Sequence, residues 1–185
     1  MARTPSVMIP LGTPIPVFTL PDTVSGIDFA SESLEGAPVT VIMFICNHCP
    51  FVKHVNTGLV RLAADYLPRG VRFVAISSND AIAFPEDAPG AMKEAALELG
   101  YPFPYLYDES QDVARLFDAA CTPDFFVYDS SLRLAYRGQL DDSRPSLDIP
   151  VTGHDIRGAL DALLAGEAVP AEQRPSIGCN IKWKA

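Results

Sequence analysis

Apolar residues run almost unbroken from position 39 to 45, with Thr40 the one polar interruption. A run of this length without alternation predicts a strand covered on both faces, as at the centre of a parallel sheet. The period then changes. From Pro50 onward, Val52, Val55, Leu59, Leu62 and Tyr66 recur at the three- and four-residue intervals of one helix face, and Pro68 and Gly70 stop the helix. Residues 71–77 predict a second apolar strand, and two such strands joined by a helix make a right-handed parallel βαβ unit. Farther along, residues 89–99 predict a helix, 103–107 a short strand and 111–119 another helix. Residues 125–128 and 132–138 flank Asp129-Ser130-Ser131 and predict an antiparallel hairpin. A last helix is predicted over 153–165, with Thr152 and Asp155 at the spacing of a capping-box variant. Residues 11–38 read as an extended lead-in with turns at Pro21-Asp22 and Ser25-Gly26, while the stretch from Glu167 has no period.

This order of elements predicts an α/β sandwich with a mixed central β-sheet flanked by helices. No repeat or linker divides the 185 residues, a length that favours one domain spanning 1–185, with a core at about 10–166 and a tail at 167–185. A net charge of −9 argues against nucleic acid and anionic membranes as partners. Pro5, Pro10, Pro14 and Pro16 break up the N-terminal stretch, so it does not read as a signal peptide. No segment approaches the roughly 20 apolar residues of a membrane span. A cytoplasmic location is therefore expected. The sequence carries no signal for oligomeric state.

Four cysteines are too few for a disulfide scaffold in a chain of this size, and in a reducing compartment they predict redox or metal chemistry. Two of them form Cys46-Asn47-His48-Cys49, placed where the first apolar strand gives way to the helix that begins near Pro50. A helix start carries partial positive charge and unpaired N–H groups, which favour thiolate over thiol. Such a placement can lower a cysteine pKa from about 8.5 to roughly 3.5–7.5, and two intervening residues leave the sulfurs close enough to form a small disulfide. The chain reads as built around a reversible dithiol. Zinc is the alternative, with His48, His54, Cys121 or Cys179 completing four ligands. A structural zinc site usually brings a second paired motif, and there is none, so no metal is expected.

A buried strand, Cys46-x-x-Cys49-Pro50, a helix, a parallel strand and then Thr122-Pro123 opening a terminal hairpin resemble the thioredoxin superfamily. The lead-in from Gly12 through Phe18 to Pro21-Asp22, and the insertion before Thr122, resemble its redoxin branch, which holds the TlpA/ResA-type and the alkyl hydroperoxide reductase/thiol-specific antioxidant proteins. The strings FICNHCPF, CTPDFFVYD and SIGCNIKWK are similar to those of a group of cytosolic bacterial thioredoxin-like proteins. The resemblance covers residues 10 to 183 and implies a thioredoxin-like (redoxin) fold. It implies thiol–disulfide exchange in which Cys46 attacks a substrate disulfide and Cys49 resolves the mixed disulfide. It also implies a cis-proline at Pro123 that presents the Thr122 backbone to an incoming chain by strand-like pairing, with Asn47 and Pro50 as further substrate contacts. His48 would stabilise the Cys46 thiolate and set a potential less reducing than thioredoxin's value of about −270 mV; the alternative is a solvated loop histidine.

Two departures narrow the resemblance. Peroxiredoxins place Pro and Thr or Ser seven and three residues before the reactive cysteine, where this chain has Val39 and Met43. Neither can donate to a peroxide, so direct peroxidase chemistry is not expected. Many thioredoxins carry a buried carboxylate six residues before the nucleophile, where this chain has Thr40. Proton transfer to Cys49 would then need water, His48 or another carboxylate.

Among the remaining candidates, Cys121 reads as a small buried hydrophobe or a third redox thiol. Cys179 reads as a resolving or regulatory thiol, or as packing for the tail with Ile177, Ile181 and Trp183. His54 and His154 read as solvated or capping, and Glu86-Asp87 and Asp141-Asp142 as exposed loop charges. Tyr101, Phe103, Tyr105 and Tyr107 alternate as core and rim of a half-buried strand. The expectation is an enzyme, a thiol–disulfide oxidoreductase acting on protein or small-molecule thiols and disulfides, recharged by an upstream thiol reductant. It needs no cofactor beyond its own Cys46–Cys49 disulfide. An atypical thiol-dependent peroxidase and a non-enzymatic redox-sensing module are the alternatives.

Overall fold

The computed structural model describes residues 3–185; Met1 and Ala2, which belong to the predicted domain and N-terminal stretch, lie outside the described residues. In chain order the strands and helices are β1 (Arg3–Pro5), β2 (Thr19–Pro21), β3 (Asp28–Ala30), β4 (Thr40–Phe44) and α1 (Pro50–Tyr66). Next come β5 (Arg72–Ser77), α2 (Pro89–Leu99), β6 (Tyr105–Tyr107), α3 (Asp112–Leu116), β7 (Cys121–Thr122) and β8 (Asp124–Tyr128). The chain finishes with β9 (Leu134–Gly138), α4 (His154–Leu164) and β10 (Ile177–Asn180).

Five strands form the central sheet in the order β6-β5-β4-β8-β9. β5 runs parallel to both β4 and β6, and β8 runs antiparallel to both β4 and β9, so the sheet is mixed. Every residue of β4 is buried. Its alternate side chains feed two separate apolar clusters, Val41 and Met43 on the face covered by α1 and α4, Ile42 and Phe44 on the face of α3. Pro50 at the first position of α1 supplies a preset φ where no N–H partner is needed, and Gly70 closes the turn beyond the helix at φ +88°. No helix among the described residues is long and apolar enough to cross a membrane.

Four segments depart from the sequence reading. The lead-in holds a short β2–β3 hairpin, Thr19 opposite Ala30. The tail, aperiodic in sequence, contributes β10, which pairs antiparallel with β1 on one side and β7 on the other. The start of α4 is not a capping box: Gly153 is the N-cap, and Asp141 accepts hydrogen bonds from the backbone N–H groups of Thr152 (2.7 Å) and Gly153 (2.6 Å). Asp141 is therefore buried at 2% exposure, not an exposed loop charge. The aromatic stretch is also more deeply set than a half-buried strand, since all three residues of β6 are buried.

Candidate active site

The motif occupies the turn between β4 and α1. Cys49 is the N-cap of α1 in extended conformation, and Cys46 lies three residues upstream in the loop. Both sulfurs sit in the apolar cluster beneath α1, at 2% exposure for Cys46 and none for Cys49. Across from them runs the turn between β7 and β8, where the Thr122–Pro123 peptide bond is cis. Thr122 Oγ1 lies 3.5 Å from Cys46 Sγ, and the Thr122 carbonyl oxygen 3.2 Å from Cys49 Sγ.

A third sulfur completes the cluster: Cys179 Sγ, on β10, lies 3.0 Å from Cys49 Sγ. Its strand reaches this position because Cys179 pairs opposite Thr122 and Asn180 opposite Cys121. Gly178 makes the approach possible, since a Cβ there would collide with the Thr122 carbonyl oxygen. The Ser176 hydroxyl donates to the Pro123 carbonyl at 2.6 Å, and the Ile181 N–H to the Ala120 carbonyl at 3.1 Å. The backbone edge of Thr122, expected to be open to an incoming chain, is thus taken by the chain's own tail. Cys121 is fully buried beside it, its S–H directed to the Pro123 carbonyl at 3.7 Å, and burial first and Asp124 second push that thiol up.

The three thiols titrate together. Cys49 is drawn down to about 4, first by the S–H of Cys46; burial opposes this, and Cys179, Thr122 and the Val52 N–H add to it. Cys46 is pushed up, first by giving its S–H to Cys49, then by burial and by the charge of Asp87. The helix-start argument expects the lowered thiol at Cys46, and the geometry puts it at Cys49 instead. The reason is the proton that Cys46 gives: its S–H is the largest influence on Cys49, while the Val52 N–H at the helix start adds less than Cys179 or Thr122. Cys179 is pushed up to about 12 by burial and then by its hydrogen bond to Cys49.

His48 is held from below by a residue that sequence reasoning set aside. Asp87 is fully buried, not a loop charge, with its Oδ2 2.6 Å from His48 Nδ1. It also accepts the backbone N–H groups of Asn47 (2.8 Å) and His48 (3.3 Å) and the Nδ2 of Asn79 (2.7 Å). A carboxylate with this many donors fixes both the loop and the imidazole, whose ring stacks on Phe84 at 5.1 Å. Asn47, expected as a substrate contact, is spent inside the protein: its Nδ2 donates to the Glu86 carbonyl at 2.8 Å and its Oδ1 accepts from Tyr105 at 3.1 Å. Cys46, His48 and Asp87 offer three ligand-type atoms within 4.8 Å of one another, but His48 Nδ1 and Asp87 Oδ2 are committed to each other. The only sequence signal for Asp87 was a polar residue in an otherwise unremarkable turn.

The positions that peroxiredoxins use remain apolar here, with Val39 and Met43 both fully buried. Thr40 is buried with no partner for its Oγ1 among the described residues. A buried carboxyl does occur nearby on β8, where Asp124 pairs opposite Phe44. Burial holds it well above the carboxylate range, and its Oδ2 has no partner among the described residues. His54, within α1, is not simply solvated, for its Nε2 is buried without a partner among the described residues. His154 is exposed, its Nε2 2.9 Å from Asp155.

Residues 11–137, more than half of the chain, match the AhpC/TSA family. The chain belongs to the AhpC/TSA family. Solved structures extend the match to the whole length. An uncharacterized conserved protein from Geobacillus kaustophilus is 61% identical over 100% of this chain and 97% of its own, with a TM-score of 0.98. A hypothetical protein from Sinorhizobium meliloti 1021 is 48% identical over 98% of this chain and 99% of its own, at 0.96. A putative thiol:disulfide interchange protein DsbE from Chlorobium tepidum shares the fold at 18% identity and a TM-score of 0.68, covering 84% of this chain and 99% of its own. No curated protein matches. The AhpC/TSA membership and these likenesses make the architecture thioredoxin-like, of the redoxin branch.

Proposed function

We propose that this AhpC/TSA-family protein is a thiol–disulfide oxidoreductase working through Cys46 and Cys49. The observation that carries the reading is the pair of sulfurs at the β4–α1 turn, facing Thr122 and Pro123, with the Cys46 S–H drawing Cys49 toward its thiolate. In the reductive direction, the Cys46 thiolate attacks one sulfur of a substrate disulfide. A Cys46–substrate bond forms, the substrate disulfide breaks, and the first substrate thiolate leaves. Cys49 then yields the proton it has received from Cys46 to the departed substrate thiolate and attacks Cys46 Sγ, releasing the second substrate thiolate and leaving Cys46–Cys49 oxidised. An upstream dithiol reverses that bond. The S–H contact between the two cysteines lets the proton of Cys46 pass to Cys49 as the attack begins, so the first step needs no outside base. His48, held by Asp87, tunes the potential from the loop.

Access limits the substrate. With Cys46 at 2% exposure and the Thr122 edge paired to β10, protein disulfides reach the site by displacing the tail, and small thiols by slipping beside it. The sparse cysteine usage fits a reducing, cytoplasmic setting. The fully buried Val39 and Met43 argue against the peroxidase alternative.

The test is a Cys49→Ser variant, which should stall with Cys46 in a mixed disulfide that mass spectrometry identifies. Insulin reduction by the wild type should exceed that of Cys46→Ser, while peroxide consumption stays at background. Recovery of nothing above the Cys46→Ser control, with no insulin reduction, would overturn the reading. Partner capture that depends on redox state without turnover would point to the sensing module.

A further inference from the structure

Cys49 has two sulfur neighbours, and exchange through Cys46 uses only one of them. We propose that Cys179 is a third redox thiol of this site, exchanging into the Cys46–Cys49 disulfide at Cys49 to form Cys49–Cys179 and return Cys46 as a free thiol. The proposal rests on the exchange reading above and extends it.

Four observations support it. The Cys49–Cys179 sulfur separation is 3.0 Å, although the residues stand 130 apart in sequence, so the tertiary fold brings them together. The register of β10 fixes that separation, because Cys179 sits directly opposite Thr122, whose carbonyl oxygen also touches Cys49. The strand is anchored on both sides of Cys179. Upstream, Ser176 bonds to Pro123 and to Ser6, and Gly178 lies against Thr122 where no side chain fits. Downstream, the Lys182 N–H donates to Asn79 Oδ1 at 2.8 Å, and Gln111 Nε2 donates to the Lys182 carbonyl at 2.8 Å. Finally, Asn79 also holds Asp87, which holds His48, so the anchoring of the tail and the positioning of the motif loop share one residue.

The step balances within the trio. The Cys179 thiolate attacks Cys49 Sγ; the Cys49–Cys179 bond forms, the Cys46–Cys49 bond breaks, and Cys46 leaves with the electron pair. The proton lost by Cys179 ends on Cys46, and no electron enters or leaves. Oxidation also prepares the attacker. In the reduced state, the hydrogen bond and charge of Cys49 are, after burial, what keep the Cys179 thiol high, and both vanish once Cys49 is in a disulfide. The outcome is a disulfide stored beneath the tail with Cys46 again free to attack.

The experiment uses the full chain, equilibrated in glutathione buffers of graded ratio, quenched in acid, alkylated and digested with trypsin. Cys46 and Cys49 fall in the peptide of residues 4–53, and Cys179 in that of residues 158–182, because Arg174 precedes proline. Wild type should yield both an internal disulfide in 4–53 and a cross-link between the two peptides. In Cys46→Ser the cross-link should become the main oxidised species, and in Cys179→Ser it should be lost while the internal disulfide persists. Circular dichroism melts of both variants establish that they are folded. If folded Cys46→Ser oxidises only to a glutathione adduct, and wild type only to Cys46–Cys49, the proposal is overturned and the exchange reading survives. If wild type forms no Cys46–Cys49 disulfide at all, the exchange reading fails first and the proposal with it.

Discussion

The dithiol lies buried between two walls that are built by different means. One wall is β4 and α1, whose residues are contiguous, periodic and apolar; Val41, Met43, Val52, Leu59 and Leu62 all pack into the same cluster. The other wall is β7 and β10, which meet through backbone pairing and a few polar anchors, with glycine where a side chain would collide, and add only Cys179 to that cluster. Burial by apolar area is cooperative with the whole core, whereas a short strand held by backbone hydrogen bonds can open by itself. The difference predicts a fixed side of the site and a movable one. It also puts Cys46 and Cys49 on the fixed side and the proposed third thiol on the movable one.

The strongest way to break this comparison is to damage each wall in turn. Leu62→Ala removes a fully buried side chain from α1 and should cost about 2–5 kcal/mol of global stability. Its thiols should become reactive only in proportion to global unfolding. Gly178→Ala forces a Cβ against the Thr122 carbonyl and should cost less, about 1–3 kcal/mol, yet accelerate thiol labelling by Ellman's reagent far more than its melting temperature accounts for. If both variants expose the thiols in step with their melting temperatures, the walls are equivalent and the movable one does not exist.

A smaller effect is expected at Asp87, which serves both walls. Asp87→Asn removes a negative charge that raises the Cys46 pKa. The pH profile of dithiol alkylation should therefore shift to lower pH, even as His48 loses its charged partner. An unshifted profile would assign Asp87 to holding the loop alone.

The smallest effect concerns Asp124, where the sign runs opposite to the usual carboxylate case. Its folded pKa is raised above an unfolded value of about 3.9. Its contribution is complete below that unfolded value and is lost as pH rises toward the folded one. Asp124→Asn does not titrate, so its melting temperature should gain on the wild type between about pH 5 and pH 8. A constant difference across that range would show that Asp124 is ionised in the folded protein.

The same contrast explains what could be read from the sequence. The fixed wall was legible because apolar period is a local signal. The strand before Cys46 and the helix from Pro50 to Tyr66 stand where the pattern puts them. The movable wall was not legible. β10 has four residues, including a glycine and an asparagine, and its meaning lies in a pairing with residues more than fifty positions away. Asp87 escaped for a related reason: its burial follows from the loop folding over the motif, and no neighbour in sequence announces that. Cys179 was visible only as a cysteine with two readings, and proximity to Cys49 is a property of the fold.

The separation of Cys49 and Cys179 by 130 residues also sets a timetable. At ~5–20 residues per second, a ribosome makes Cys49 roughly 7 to 26 seconds before Cys179. Throughout that interval the nascent chain carries its motif cysteines with only one wall. Until β10 is made, no part of it can cover those cysteines against glutathione or other disulfides.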